Sequence, residues 1–517
     1  MEVVVTRSPI ENLISTPDFV NKIADIIYLP SRTISTFLDR PEDQIMYLVS
    51  FLLAVLTGWT INCIYNVKLR KGISVFMGCF IQIYMYGKGF YPSMSFVIVS
   101  YFTMRYASRK AQHKIIFIVN ALLLSLAHLH KMYYYYGFWG AEITNLMMMN
   151  LCRITAVSIC YKDGAVPEKD REEKLKTRER VYAIDQCPSF YDYLGYLYYC
   201  GGTIAGPFYE YKDYINFMHR EGHYLNIPST IIPTIKRLAV AIFFIGAVGV
   251  MSDYFPFSYV LTDEFAAQAY WKKMLIMLGT LKLKLFTYYT AFCLMDSGSI
   301  ASGLSYNGLD LNKTPKFDRV QNIRIYDIEF SYKVQEFFNA WNISVHMWLK
   351  HYVFLRLVKK GQKIGIVPIL TTFIVSAVWH GFYPGYFMFF ISSGFNDYMF
   401  KAGSKIYILF EWVPKFIQKF LLFSWSYFQC AYWGLSFILL DLKSIHKLHS
   451  AVHYSLHFVL AFALLFINFS GIIPYCKRLE SKKYPDRVSS RHQNNISKNK
   501  QHTSSTDATL NNKSKNE

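Results

Sequence analysis

Apolar residues fill this chain in long blocks, and the charges gather in the connections between them. The blocks run at about 44–67, 72–86, 91–106, 115–134, 138–161 and 188–209, then 230–250, 271–294, 364–377, 381–393, 420–440 and 450–475. Most approach the length that carries a helix across a bilayer. Inside lipid the backbone must satisfy its own polar groups, which makes helices the natural form. The pattern predicts an all-α, polytopic membrane protein with about 11 spans. The membrane body is expected over residues 42–476. A polar arm with a short amphipathic piece at 19–29 precedes it (1–41), and a polar tail follows it (477–517).

Some stretches depart from this rhythm. Residues 162–185 hold the densest charge run, expected as a solvated loop or exposed helix. Gly201-Gly202-Thr203-Ile204-Ala205-Gly206-Pro207 lacks the Gly-Lys-Ser/Thr of a phosphate loop, so it reads as a place of close helix approach or a broken helix. Residues 296–328 read as a long polar connection. Across 332–357, Phe337, Phe338, Trp341, Val345, Trp348, Leu349, Tyr352 and Leu355 recur at three- and four-residue steps, as on one helix face. Lys282 and Lys284 interrupt the 271–294 block and are expected to snorkel or to line a polar cavity.

The chain has 517 residues, 53% of them hydrophobic, with 55 Lys and Arg against 35 Asp and Glu. A net charge of +20 raises the question of nucleic acid. The positive charge is dispersed over loops and the tail, which fits lysines and arginines facing anionic lipid and argues against a nucleic-acid partner. The nine cysteines form no C-x-x-C pair, so zinc and thioredoxin-type sites have no support. No cleavable signal peptide stands out in the first thirty residues. The tail carries ten basic and four acidic residues, is rich in Ser, Asn and Thr, and is expected to be disordered. Its end, Lys513-Ser514-Lys515-Asn516-Glu517, resembles a dilysine retrieval signal, which implies residence in the endoplasmic reticulum with a cytosolic C-terminus.

Three constellations compete for the chemistry. One joins Asn342 to His380. Each lies among aromatic residues, Trp341 and Trp348 for the first, Trp379 and Tyr383 for the second. A titratable side chain within an apolar run is costly unless it is paired or faces a wet cavity. A neutral imidazole can take a proton from an alcohol, and an amide can orient the imidazole or a reacting group. Attack of an alcohol on an activated acyl carbon is the simplest reaction for such a pair. The second is the histidine run His446, His449, His453 and His457, spaced to lie along one helical stripe. Metal binding there lacks the separated clusters and the adjacent His-His pair that membrane di-iron sites need. The third is a transport path lined by Lys282, Lys284, Glu142 and Arg153, without an inverted repeat to support it.

The stretch from 379 to 390 fits W-H-G-x-x-x-G-Y-x-x-x-F through Trp379, His380, Gly381, Gly385, Tyr386 and Phe390. With Trp341-Asn342-Ile343, the Gly303-Leu304-Ser305-Tyr306-Asn307-Gly308 segment and Ala205-Gly206-Pro207, it resembles the membrane-bound O-acyltransferase family, in its lysophospholipid acyltransferase branch. The likeness covers about residues 40–475. It implies a multi-helix fold around an internal chamber, with acyl-CoA entering from the cytosol as co-substrate and a lysophospholipid arriving from the bilayer, acylated at its sn-2 hydroxyl. It implies His380 as general base and Asn342 as the group positioning His380 or the substrate, supported by Trp341, Trp379, Gly381, Tyr383, Gly385 and Tyr386. It requires no metal and no redox cofactor. Relatives in the same family acylate sterols, diacylglycerol, lysophosphatidylinositol or proteins, so the acceptor stays open at this point.

Overall fold

The computed structural model describes residues 18–485 apart from 138, 139, 141, 205 and 359–365. Among the described residues the regular structure is helical, and the only strand-like contact is one isolated bridge between Leu309 and Pro315. Among the described residues four helices are long and apolar enough to cross a membrane: Glu42–Cys63, Gln112–Tyr134, Ile143–Asp163 and Ile231–Tyr254. Leu442–Ala451 and Ser455–Phe469, bent by 83° at their junction, would make a fifth if they form one broken span. The expected count of about 11 is therefore not reached by clean apolar spans. Other long helices carry charges or breaks. The Tyr270–Ser302 helix has 33 residues, about 50 Å at 1.5 Å per residue, and holds Lys282 and Lys284. It packs against Glu42–Cys63, Ile231–Tyr254 and Lys415–Leu439 and forms the spine of the molecule.

Several elements differ from the sequence pattern, and polar side chains from distant parts of the chain account for some of the differences. The 188–209 block is not a span. It breaks into Phe190–Leu197, a single turn at Cys200–Gly202 and a non-helical stretch over 206–210. Buried Arg153 replaces the missing helix donors. Its guanidinium donates to the Leu197 carbonyl (3.2 Å), to the Pro207 carbonyl (3.0 Å) and to that of Gly202. The Tyr270–Ser302 helix overruns the expected polar connection and buries Asp296. Lys282 is paired inside the fold. It pairs with Glu329, whose carboxylate also accepts the Tyr289 (2.7 Å) and Tyr427 (3.1 Å) hydroxyls. Glu142 pairs with Lys131 at 2.8 Å. Glu142, Arg153 and Lys282 each have separate partners, so they do not form the common path that a transport reading needs.

The expected charge-run loop at 162–185 is compact, with short helices at Arg171–Lys174 and Thr177–Tyr182, and Asp163 is buried against Arg356 at 2.6 Å. The four histidines 446, 449, 453 and 457 do not share a helical stripe. The helix breaks where His453 and Tyr454 take left-handed conformations (φ 53° and 49°). His449 stacks on Tyr432 at 4.3 Å, and His457 Nδ1 meets the Tyr432 hydroxyl at 2.7 Å. The N-terminal arm contains a helix, Asp18–Leu38, longer than the expected piece at 19–29. The last helix among the described residues, Ile472–Lys483, enters the tail and is pinned by Lys483 to Glu411 at 2.8 Å. The dilysine-like end and Ala205 lie outside the described residues.

Two large buried clusters make the core. One surrounds Ile143–Asp163 and the tyrosines of 193–214, and the other surrounds Tyr270–Ser302 and Lys415–Leu439. Trp379 belongs to the first, whereas Phe389 and Trp341 pack on the second. The 379–390 stretch therefore lies on the seam between them.

Candidate active site

The Ile366–His380 helix is almost wholly apolar and carries its imidazole on its last residue. The chain then reverses at once. Gly381 takes φ +126°, a backbone conformation that L side chains rarely adopt, and its N–H still caps the helix on the Ala377 carbonyl at 3.1 Å. A Cβ there would come within 3.3 Å of the His128 ring. Tyr383 ends the turn, Pro384 occupies the first turn of the Pro384–Gly403 helix, and the fixed φ of proline suits that position. Gly385 lets this helix touch Lys415–Leu439. A Cβ at Gly385 would lie 2.1 Å from the Ser436 carbonyl oxygen, and the Gly385 N–H donates to the Leu440 carbonyl at 2.9 Å.

These constraints aim a ring of aromatic groups at His380. Its imidazole meets Trp379 (4.7 Å), Phe390 (5.0 Å), Phe437 (5.3 Å) and Tyr386 (5.7 Å), centroid to centroid. Trp379 is itself fixed. Its indole N–H donates to the Met148 carbonyl at 2.9 Å, and its own carbonyl accepts from buried His128 Nε2 at 3.1 Å. The Tyr383 hydroxyl accepts the Gly137 N–H at 3.1 Å.

His380 Nδ1 lies 2.8 Å from the Ser376 carbonyl oxygen. A carbonyl can only accept, so Nδ1 carries the proton. In the neutral ring this leaves the Nε2 lone pair as the basic one. Among the described residues Nε2 has no protein partner, and His380 stays only half-buried. An oriented imidazole with its basic nitrogen free is suited to proton abstraction.

Trp341 and Asn342 fall at a break in the expected 332–357 helix, between Val334–Ala340 and Ile343–Trp348. Asn342 sits in the left-handed region (φ 43°), which Asn tolerates better than most residues. Trp341 stacks on Phe337 at 5.7 Å and packs against Tyr288 and Phe292 at 5.5 Å each. A polar chain from distant helices fixes this break. Arg237 pairs with Asp296 at 2.5 Å, and Asp296 accepts the Asn322 N–H at 2.9 Å. Asn322 in turn accepts the Ser344 hydroxyl at 2.8 Å and, through its carbonyl, the Ile343 N–H at 2.8 Å.

Asn342 and His380 do not hydrogen-bond to each other. The helix that precedes Asn342 reaches the hairpin through rings: Phe338 to Phe389 at 6.2 Å, Phe389 to Phe390 at 5.3 Å, and Phe390 to His380. The Asn342 amide has no hydrogen-bond partner among the described residues. Trp379, His380, Gly381, Tyr383, Gly385 and Tyr386 thus form one hairpin, with Trp341 and Asn342 across the seam. The sequence reading gave no role at this site to His128, Lys131 or the Asp296–Asn322–Ser344 chain. Only His128, a histidine inside an apolar block, left a local signal.

The site and fold define an acyl-transfer membrane protein. The chain belongs to the membrane-bound O-acyltransferase (MBOAT) family, whose pattern matches residues 124–396, more than half of its length. It is similar to the lysophospholipid acyltransferase of Schizosaccharomyces pombe (strain 972 / ATCC 24843), with 28% identity over 462 residues, covering 85% of this chain and 90% of the relative. It is also similar to lysophospholipid acyltransferase 1 of Arabidopsis thaliana, with 29% identity over 331 residues (61% and 70%). Human membrane-bound glycerophospholipid O-acyltransferase 2 matches at 25% identity over 451 residues (82% and 84%).

Proposed function

We propose that this protein transfers a fatty acyl group from acyl-CoA to the free sn-2 hydroxyl of a lysophospholipid, in the endoplasmic reticulum membrane with its C-terminus in the cytosol. The observation that carries the reading is the His380 imidazole, which is fixed by Ser376 with Nε2 left free, in a chain whose relatives are named for lysophospholipid and glycerophospholipid acylation.

In this reading Nε2 removes the hydroxyl proton as the oxygen attacks the thioester carbonyl. The tetrahedral intermediate collapses, the C–S bond breaks, and the proton passes from Nε2 to the departing CoA sulfur. The products are a diacyl phospholipid and free CoA. The unbonded amide of Asn342 supplies a donor for the thioester oxygen or an acceptor for the hydroxyl. The aromatic wall excludes water, which would otherwise hydrolyse the thioester.

The test uses purified full-length protein with labelled acyl-CoA and a panel of lysophospholipids. Acceptor-dependent release of CoA together with labelled diacyl phospholipid is expected. CoA release without labelled phospholipid, or no release with any acceptor, would overturn the assignment.

A further inference from the structure

Glu142 and Lys131 form an ion pair where the Gln112–Tyr134 helix ends and the Ile143–Asp163 helix begins. The two side chains retain only 14% and 18% of their accessible surface. A pair this enclosed is expected to satisfy both carboxylate oxygens. Only one is satisfied: Oε2 takes Lys131 at 2.8 Å and Thr144 at 3.2 Å, whereas Oε1 is buried and has no partner among the described residues.

The pair stands beside the seam. Lys131 lies one helical turn beyond His128, which holds the Trp379 carbonyl immediately before His380. The segment that joins the two residues reaches the hairpin: the Gly137 N–H donates to the Tyr383 hydroxyl at 3.1 Å, Tyr136 packs on Tyr383 at 5.2 Å, and Tyr386 packs on both Tyr383 (5.8 Å) and the His380 ring (5.7 Å). One carboxylate oxygen that still needs a donor therefore flanks the segment that contacts the hairpin of the proposed base.

Resting on the acyltransferase reading above, we propose that Glu142 receives the primary ammonium of a lysophospholipid head group, as in an ethanolamine or serine lipid. Such an ammonium lies a phosphate and a two-carbon arm beyond the glycerol whose hydroxyl reacts. Its N–H donors match the open oxygen, and a quaternary choline has none to give. Lys131 balances the carboxylate when no lipid is bound and faces the lipid's phosphate or carboxylate when one is.

The experiment measures KM for lysophosphatidylethanolamine, lysophosphatidylcholine and lysophosphatidylglycerol (which has no amine) in microsomes carrying full-length wild type, Glu142→Gln, Glu142→Asp or Lys131→Met. Glu142→Gln is expected to raise the ethanolamine-to-glycerol KM ratio by about tenfold or more, the scale of one charged hydrogen bond, and the choline-to-glycerol ratio by less. Lys131→Met leaves the carboxylate uncompensated and is expected to lower the ethanolamine ratio. The two substitutions break the same ion pair, so a purely structural pair would shift all acceptors alike and in the same direction for both, which overturns the inference. If Glu142→Gln does not accumulate, Glu142→Asp, which keeps the charge but withdraws it, is expected to give an intermediate ratio, and an unchanged ratio counts against the assignment. Equal shifts for choline and ethanolamine would overturn the preference for a primary amine. No transfer by wild type to any acceptor overturns the acyltransferase reading and this inference with it.

Discussion

Gly385→Ala tests whether helix contact sets the geometry around His380. The added Cβ would lie 2.1 Å from the Ser436 carbonyl oxygen and 3.1 Å from Leu440 Cα, both backbone atoms that cannot rotate away. Opening the 2.1 Å approach to the 3.4 Å of ordinary contact moves one helix by about 1.3 Å. Overpacking of this kind costs about 1–3 kcal/mol. Losing the Gly385 N–H to Leu440 hydrogen bond adds about 1 kcal/mol. The displaced helix carries Tyr386 and Phe390, two of the rings on His380. A misplacement near 1 Å at reacting groups can lower turnover about a hundredfold. Acyl transfer by microsomes at matched protein level is expected to fall by about ten- to a hundredfold, with a lower melting temperature for the solubilised protein. Gly403→Ala, on the same helix with open space around it, is the control and is expected to leave both unchanged. Gly385→Ala with activity and melting temperature within twofold and 1 °C or so of wild type would refute the argument.

Trp379→Phe removes the indole N–H from the Met148 carbonyl and is expected to cost about 1–2 kcal/mol, read as a lower melting temperature together with reduced transfer. Asp296→Ala removes the buried carboxylate that half-buried Arg237 pairs with and is expected to destabilise by about 3–5 kcal/mol, whereas Asp296→Ala with Arg237→Met is expected to recover much of the accumulated protein in a membrane-fraction immunoblot. Asn322→Ala loses the Ser344 hydroxyl contact beside Asn342 and is expected to lower kcat more than it raises KM. Asn342→Gly keeps the left-handed backbone accessible and removes only the amide. Loss of transfer in Asn342→Gly assigns the amide a chemical role, and retention would reduce Asn342 to a turn residue.

Where local pattern and environment agree, the sequence was readable. Glu42–Cys63, Gln112–Tyr134 and Ile143–Asp163 are apolar over membrane length, and their blocks appeared with ends shifted by a few residues. The 379–390 spacing also had physical meaning: one glycine turns the chain at 381, another allows contact at 385, and aromatics one turn apart converge on His380. Breaks were not readable. Residues 332–357 carry a helical period, yet the chain breaks at Trp341-Asn342 because Asn322 and Asp296, close together only in the fold, satisfy the freed groups. Residues 188–209 look like a span, yet Arg153 from another helix replaces the helix hydrogen bonds there. The turn at His453-Tyr454 breaks the helix that the histidine spacing implies, and His449 and His457 meet across it at 4.9 Å. Periodicity reports one segment at a time, whereas these departures depend on donors supplied from elsewhere in the chain.

The most direct test of the central claim is acyl transfer by His380→Ala. Microsomes holding equal amounts of wild type and variant are given labelled acyl-CoA and a lysophospholipid that wild type uses, and labelled diacyl phospholipid is counted. If the free Nε2 of His380 is the base, wild type makes product and the variant falls to the background of empty membranes. Product from His380→Ala at the wild-type rate would contradict the account and place the proton-abstracting group elsewhere.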